Sequence, residues 1–155
     1  MVELDRIDNM ILEKLQRNGR MTNVELAETV GISPPPCLRR LKFLEQKGII
    51  SGYHAELNRA VLGYKIKALC IVSISSQFTG KVESFVKSLE KSENIRECES
   101  TAGNEFFILT IIARNLEEYE EILRDYIQSS KVVSNVKSYI LTNNHKCEYG
   151  LPIKD

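Results

Sequence analysis

Apolar residues in the first fifty positions recur every three or four residues, the spacing of one face of a helix. A first helix is predicted to end at Asn18-Gly19, a common helix end. Thr22 and Glu25 then have the spacing of a capping box, and a short second helix is predicted up to Gly31. The apolar positions of the first helix are Leu4, Ile7, Ile11, Leu12 and Leu15.

A third helix is predicted within SPPPCLRRLKFLEQKG, residues 33–48, which opens with three consecutive prolines. Ser33 is expected to cap this helix, and Pro34 occupies its first position, where a missing N–H has no cost. Pro35 and Pro36 also lie in the first turn, whose N–H groups have no intrahelical partners. The prolines should therefore hold the start of the helix rigid.

The third helix has an apolar side and a basic side. Arg39 lies opposite the apolar side with Pro36 and Phe43, and Arg40 and Lys42 flank them. Two short helices joined by a tight turn, the second basic on its outer side, are typical of a helix-turn-helix, which places its second helix in the DNA major groove. An ordinary surface helix with solvated cations is the alternative. The apolar side is predicted to contain Cys37, Leu38, Leu41 and Leu44.

From Tyr64 onward, alternating β-branched and apolar residues indicate strands, and two amphipathic helices interrupt them. The order β-α-β-β-α-β is the ferredoxin-like arrangement. Two helices would cover one face of such a sheet, so the other apolar face predicts a dimer formed through the sheets. The predicted elements are strands at 64–75, 96–104, 105–114 and 133–142 and helices at 81–90 and 116–127.

Composition narrows the partners and the compartment. The formal net charge is zero, but residues 33–48 carry four cations against the single acid Glu45, so any nucleic-acid contact should be local to this segment. The four scattered cysteines form no CxxC pair, which predicts free thiols, no metal site and no cofactor. No apolar run is long enough to span a bilayer and the start lacks the pattern of a signal peptide, so a cytoplasmic protein is expected.

Four motifs of the first sixty residues, LDxID, NGRxTNVELA, SPxPCLRRLxxLE and GxIxGYxAxLN, together resemble the N-terminal domain of the Lrp/AsnC family of transcriptional regulators. The resemblance implies an α+β chain with a three-helix (winged) helix-turn-helix domain at 1–50 and a linker strand at 51–63. A ferredoxin-like, RAM-type βαββαβ domain at 64–142 would bind an effector and form oligomers, and a tail would occupy 143–155. Family members form dimers that commonly assemble to octamers, around which DNA can bend or wrap.

The resemblance also implies which residues contact operator DNA. Arg39 and Arg40 would be the leading contacts of the recognition segment, and Thr22 and Asn23 would lie near phosphate at the start of the preceding helix. Arginine suits this role because its guanidinium can pair bidentately with guanine or bind phosphate. The full set of expected DNA-binding residues is Thr22, Asn23, Ser33, Pro34, Pro35, Pro36, Arg39, Arg40 and Lys42.

In the family, small effectors, usually amino acids, bind between dimers near the turn that joins the second and third strands. Gly103 of the family pattern is retained here, but Asn104 and Phe106 occupy positions where carboxylates are common. Because a buried α-ammonium group without an anion is costly, this predicts an atypical effector, weak amino-acid binding or no effector. The alternative is a common amino acid held by backbone groups around Gly103. The expected effector residues are Thr101, Ala102, Gly103, Asn104, Glu105 and Phe106.

Two other classes of protein, an enzyme and an interaction module, are alternatives to a DNA-binding regulator. An enzyme is disfavoured because the sequence contains no GxGxxG, GxxxxGK[ST], HExxH or GxSxG motif. A small-molecule sensor or interaction module whose helical domain binds protein is compatible with the zero net charge. Salt separates it from a DNA-binding protein, since only phosphate contacts predict a steep loss of affinity as salt rises.

Overall fold

The computed structural model describes residues 2–75, 80–102, 106–147 and 150–153. The chain divides into two compact units. The first contains residues 1–56 together with 146–155, and the second contains residues 57–145. The chain therefore passes from the first unit into the second after residue 56 and returns to the first at residue 146.

Helices α1 (Arg6–Arg17) and α2 (Asn23–Val30) both begin with capping boxes, as predicted for α2. At α1 the Asp5 and Asp8 side chains each accept a hydrogen bond from the other's backbone N–H, and Thr22 and Glu25 do the same at α2. Helix α2 ends at Gly31, whose φ of 77° lies in the left-handed region that favours glycine. The sequence alone thus located the start of α2, whereas the capping box of α1 was not predicted.

Helix α3 (Pro34–Gln46) begins at the predicted proline, but the prediction that Ser33 caps it is wrong. Ser33 occupies the N-cap position, and its side chain makes no capping hydrogen bond. An N-cap hydroxyl accepts from the backbone N–H of the second or third helical residue, and these residues are Pro35 and Pro36, which have none. Because the three prolines have no backbone N–H, the first three residues of α3 present no donors that a capping side chain would need to satisfy.

The three helices enclose an apolar core in the first unit. Leu38 was predicted on the packed side of α3, but it is 40% exposed and lies outside the core. The reason is angular, because Leu38 lies about 100° around the helix from Cys37, whereas Leu41 and Leu44 lie close to the same direction as Cys37. The buried core residues are Ile11, Leu12, Leu26, Ala27, Val30, Cys37 and Leu44.

The end of the chain packs against this helical core. The Gln16 side chain donates to the Leu151 carbonyl oxygen over 3.1 Å and accepts a hydrogen bond from the Leu151 backbone N–H. Gly150 has a φ of 92°, and a Cβ there would overlap the Gln16 carboxamide. Ile153 packs against the core. Residues 150–153 are therefore part of the helical unit and not a separate tail.

The linker prediction differs from the structure. All of residues 51–63 are described, and none of them belongs to a strand. A turn spans residues 58–64, in which the backbone N–H of Leu62 donates to Asn58 and that of Tyr64 donates to Arg59. A strand needs a neighbouring strand for its backbone hydrogen bonds, and residues 51–63 have none within the described chain.

The second unit contains the predicted βαββαβ order. Its four-stranded sheet is antiparallel throughout, and the strands lie in the spatial order second, third, first and fourth, counted along the chain. The predicted helix at 116–127 is α-helical as far as Ile122 and continues as a π-helix from Leu123 to Gln128. The elements are β1 (Ile66–Ile74), α4 (Val82–Leu89), β2 (Ile95–Ser100), β3 (Phe106–Ala113), α5 (Leu116–Ile122) and β4 (Val133–Ile140).

Helices α4 and α5 pack against one face of this sheet. Phe85 of α4 meets Phe107 of β3 edge to face, with ring centroids 6.2 Å apart. Tyr119 of α5 reaches the same layer, where its hydroxyl lies 3.0 Å from Cys70 Sγ and donates to Ser138 Oγ over 2.7 Å. Among the described residues, no helix has both the length and the apolar composition needed to cross a membrane.

Candidate nucleic-acid interface and ligand-binding region

The turn between α2 and α3 is held by hydrogen bonds at both of its ends. The backbone N–H of Ile32 donates to Ala27 at the end of α2 over 3.0 Å. The Asn23 side-chain amide donates to the Pro34 carbonyl oxygen over 2.9 Å, which connects the start of α2 to the start of α3. The two helices are therefore fixed to each other, as a helix-turn-helix requires.

The outward face of α3 combines cations with apolar groups. Arg39 and Lys42 are exposed on it, and within the described residues neither forms an ion pair. Phe43 is 37% exposed, and Lys47 Nζ lies 5.9 Å from the centroid of its ring. We call this set the outward face; its residues are Pro35, Leu38, Arg39, Lys42, Phe43 and Gln46.

Glu45, the acid of segment 33–48, is bound by a neighbouring residue. It accepts a hydrogen bond of 2.9 Å from the Tyr53 hydroxyl. Burial, and then the nearby Glu45 carboxylate, raise the pKa of Tyr53 to about 12. Tyr53 is protonated at neutral pH, as an unperturbed tyrosine would also be, and can donate to Glu45.

Arg40, predicted as a leading DNA contact, is not part of the outward face of α3. Its Nη1 is 2.7 Å from Asp5 Oδ2 and 2.8 Å from Asp8 Oδ1, at the start of α1. The hydrogen bonds that Arg40 donates to the carboxylates of Asp8 and then Asp5 raise the pKa of Arg40. The pKa of Asp5 is lowered, first by the backbone N–H of Asp8 and further by Arg40. The structure therefore separates Arg40 from the outward face that contains Arg39 and Lys42.

Thr22 and Asn23 also have partners inside the unit. The Thr22 backbone N–H and hydroxyl both donate to Glu25 Oε2, over 2.7 Å and 2.9 Å. These bonds lower the pKa of Glu25, the backbone N–H having the larger effect. The side-chain amide of Asn23 donates to the Pro34 carbonyl oxygen. Ser33, Pro34 and Pro35 are exposed and Pro36 is half-buried, so the proline run faces outward at the start of α3.

The predicted effector region is the hairpin between β2 and β3. Gly103, Asn104 and Glu105 lie outside the described residues. At the base of the hairpin, the backbone N–H and hydroxyl of Thr101 both donate to the Phe106 carbonyl oxygen, over 3.1 Å and 3.2 Å. Ala102 is exposed.

Phe106 lies on the sheet face that the helices leave uncovered. It pairs with Ser73 and is 40% exposed, while the adjacent Phe107 is buried against α4. The hairpin thus presents Phe106 to solvent beside the open face of the sheet.

Sequence reasoning missed several residues that the structure assembles. Leu38 and Gln46 share the outward face with Arg39, and Asp5 and Asp8 hold Arg40. The helical angle would have revealed part of this, since Arg40 lies about 60° from the buried Cys37 and Arg39 about 160° from it. The identity of the partner acids had no comparable signal, because they precede Arg40 by more than thirty residues.

Two family models match the two units. A winged helix-turn-helix DNA-binding model matches residues 4–51, and the Lrp/AsnC ligand binding domain matches residues 67–151. The first match contains α1 to α3 with the outward face, and the second contains the four-stranded sheet, except for the first residue of β1, with the β2–β3 hairpin.

Similar proteins match over nearly the whole chain. The leucine-responsive regulatory protein of Rhizobium meliloti (strain 1021) is 40% identical over 139 residues, which are 90% of this chain and 89% of that protein. The protein of the same name from Escherichia coli (strain K12) is 33% identical over 98% of this chain and 93% of its own length.

Solved structures of similar proteins share the fold over nearly the whole chain. A transcriptional regulator of Neisseria meningitidis in complex with L-Met has a TM-score of 0.91 and 34% identity, with 97% of each chain covered. Escherichia coli AsnC has a TM-score of 0.84 and 25% identity, covering 94% of this chain and 97% of its own. With a helix-turn-helix followed by a βαββαβ ligand-binding domain, matched along almost its full length, the chain belongs to the Lrp/AsnC family of DNA-binding transcriptional regulators.

Proposed function

We propose that the chain binds double-stranded operator DNA through the outward face of α3, with Arg39 and Lys42 as its main cationic contacts. The observation that carries this proposal is that both cations are exposed on one side of the second helix of a helix-turn-helix, without ion pairs in the described residues. A cation without a protein partner is available to neutralise phosphate or to donate to a guanine edge.

The other predicted DNA residues have supporting roles in this proposal. Pro34, Pro35 and Pro36 fix the start of α3 at the groove, with Ser33 just before them. Thr22 lies near the DNA backbone at the N-terminus of α2, where the helix dipole favours a phosphate. Asn23 acts mainly through its hydrogen bond to Pro34, which sets the angle between the two helices.

The proposal is tested by fluorescence anisotropy of the full chain with the promoter region of its own gene, at salt concentrations from about 50 mM to about 200 mM. Affinity should fall steeply with salt. Arg39→Ala should weaken binding by about 1–3 kcal/mol and lower the salt slope by about 1. Lys87→Ala, an exposed cation of α4, is the control and should leave both unchanged. Binding that ignores salt and Arg39 would favour the protein-interaction module instead.

An amino acid is the effector class that the proposal assigns to the second unit. The relative from Neisseria meningitidis is in complex with L-Met, and the relatives from Rhizobium meliloti and Escherichia coli are named leucine-responsive. Residues 101–106 form the proposed site, and the ligand would bind there between dimers. Because Asn104 and Phe106 offer no carboxylate, main-chain groups around Gly103 would hold the ligand in this proposal, and an effector of another class is the alternative.

Isothermal titration of the full chain with each of the twenty common amino acids tests this assignment. The expected result is saturable heat with an amino acid that has an apolar side chain, such as leucine or methionine. Gly103→Thr should abolish that heat while leaving DNA binding without the amino acid unchanged. An absence of heat with all twenty would favour an atypical effector or none.

Self-association is part of the proposal. The sheet face that α4 and α5 leave uncovered contains Leu69 and Ile71 of β1 beside Ile108 of β3, and the exposed Tyr139 of β4 adjoins Leu69. A face of this composition favours a homodimer through the sheets, which then assembles towards an octamer. Light scattering of the purified chain should give a mass of at least two chains, and a monomer at all concentrations would contradict this.

The remaining parts of the proposal follow from the family. Lrp/AsnC proteins are transcriptional regulators and not a class of enzymes. We therefore infer no catalytic activity and no cofactor, and a location beside the DNA in the cytoplasm.

A further inference from the structure

We infer that Arg40 is a positioning residue, which fixes the outward face of α3 towards DNA through an ion pair with Asp5 and Asp8 and does not itself contact the operator. This inference rests on the proposed function of the outward face. It assigns different roles to the adjacent arginines of the recognition helix, Arg39 as a contact and Arg40 as its support.

The geometry uses both acids of the α1 capping box completely. Asp5 Oδ1 accepts from the Asp8 backbone N–H over 2.9 Å, and Asp8 Oδ2 accepts from the Asp5 backbone N–H over 3.2 Å. The remaining oxygens, Asp5 Oδ2 and Asp8 Oδ1, both bind Arg40 Nη1. Each carboxylate therefore stabilises the start of α1 with one oxygen and holds α3 with the other.

The burial of Asp8 limits how the ion pair can be arranged. The side chain of Asp8 is 9% exposed and that of Arg40 is 34% exposed. A carboxylate so far removed from water needs a cation close by, and Arg40 supplies it. The contact joins residues that are 32 positions apart, so it restrains the rotation of α3 about its own axis relative to α1.

Charge argues against a direct DNA contact for Arg40. Asp5 and Asp8 together with Arg40 carry a net negative charge, which repels phosphate. Arg40 also lies about 100° around α3 from Arg39. A guanidinium in this place can aim Arg39 and Lys42 at the groove, but two carboxylates would have to approach the DNA with it.

The neutral variant Asp5→Asn tests the inference because asparagine caps a helix about as well as aspartate. It removes one of the two charges that face Arg40 and leaves the start of α1 intact. If Arg40 contacted DNA, removing one of its two partner acids would tighten binding and steepen the salt slope. If Arg40 positions α3, binding should weaken about threefold, as for a partly exposed ion pair, with an unchanged slope.

The measurement is fluorescence anisotropy of the full chain on its own promoter DNA across a salt series, for Asp5→Asn, Arg40→Gln and Arg39→Ala. We expect Arg40→Gln to weaken binding about tenfold without a change of slope, whereas Arg39→Ala lowers the slope by about 1. Circular dichroism shows whether each variant folds. If Arg40→Gln does not fold, Asp5→Asn, which keeps the cap, decides alone.

The possible outcomes distinguish the positioning role of Arg40 from the proposed DNA-binding function. Tighter binding by Asp5→Asn, or a lower salt slope for Arg40→Gln, would overturn the positioning role and leave the proposed function standing. Binding by the unaltered chain that does not depend on salt would overturn the proposed function itself and the inference with it.

Discussion

The two units of the chain are organised by different interactions. The helical unit depends on polar side chains at helix ends, which include two capping boxes, the Arg40 ion pair, the Asn23–Pro34 hydrogen bond and the contact of Gln16 with Leu151. The sheet unit is packed mainly with apolar side chains from β1, β3, α4 and α5. In the helical unit, an ion pair and hydrogen bonds between helix ends therefore supplement a small apolar core, whereas the sheet unit depends mainly on hydrophobic burial.

The largest expected effect tests the apolar half of this comparison. Leu109→Ala removes a side chain that is 0% exposed at the centre of the sheet, and it should lower the free energy of unfolding by about 2–5 kcal/mol. Leu116→Ala, at a residue 51% exposed, is the matched control and should change it by less than about 0.5 kcal/mol. Urea denaturation followed by circular dichroism measures both, and equal losses would contradict the assignment of the core.

A smaller effect tests the two ways in which helices begin in the helical unit. Thr22→Ala removes a hydroxyl that accepts from the Glu25 backbone N–H, and it should cost about 1 kcal/mol of stability. Ser33→Ala at the start of α3 should change stability by less than about 0.5 kcal/mol, because Ser33 makes no capping bond. The same urea titration compares the two variants. A loss for Ser33→Ala as large as that for Thr22→Ala would show that the hydroxyl has a role at the proline start.

The smallest expected effect is the acid sensitivity of the helical unit. The pKa values of Asp5 and Glu25 are lowered from 3.8 and 4.5, chiefly by hydrogen bonds from the backbone N–H groups that they cap. A lowered pKa means that the folded state binds the proton less tightly, so this stabilisation is present above the ordinary values and is lost as pH falls through the lowered ones. Urea midpoints of the helical unit should therefore decrease below about pH 4.5.

Glu25→Gln is the control for this pH dependence. Glutamine preserves the capping box but does not titrate, so the variant should lose part of the decrease while remaining close in stability at neutral pH. An acid profile identical to that of the unaltered chain would show that Glu25 does not contribute.

Much of the fold followed from local patterns. The apolar spacing located α1 and α2, the Thr22 and Glu25 pair located the start of α2, and Pro34 located that of α3. The alternation in the second half predicted the βαββαβ order. These predictions succeeded because helix ends and strand periods are decided by residues a few positions apart.

The failures share a different cause. Ser33 fits the N-cap pattern, but the residues that should donate to it are prolines. Leu38 is apolar and lies beside the core stripe, yet it is exposed on the outward face. The predicted linker strand lacks a neighbour within the described chain. In each case the residue type was compatible with the predicted role, and the surroundings supplied no partner.

Short-range spacing and motif identity were therefore enough to predict the order of the elements, the helix-turn-helix and the membership of a family. The pairing of Arg40 with Asp5 and Asp8, and the packing of residues 150–153 against α1, became evident only in the folded chain. Ion pairs and hydrogen bonds between distant parts of the chain depend on which surfaces come together on folding. The spacing of residues along the sequence does not indicate which surfaces these are.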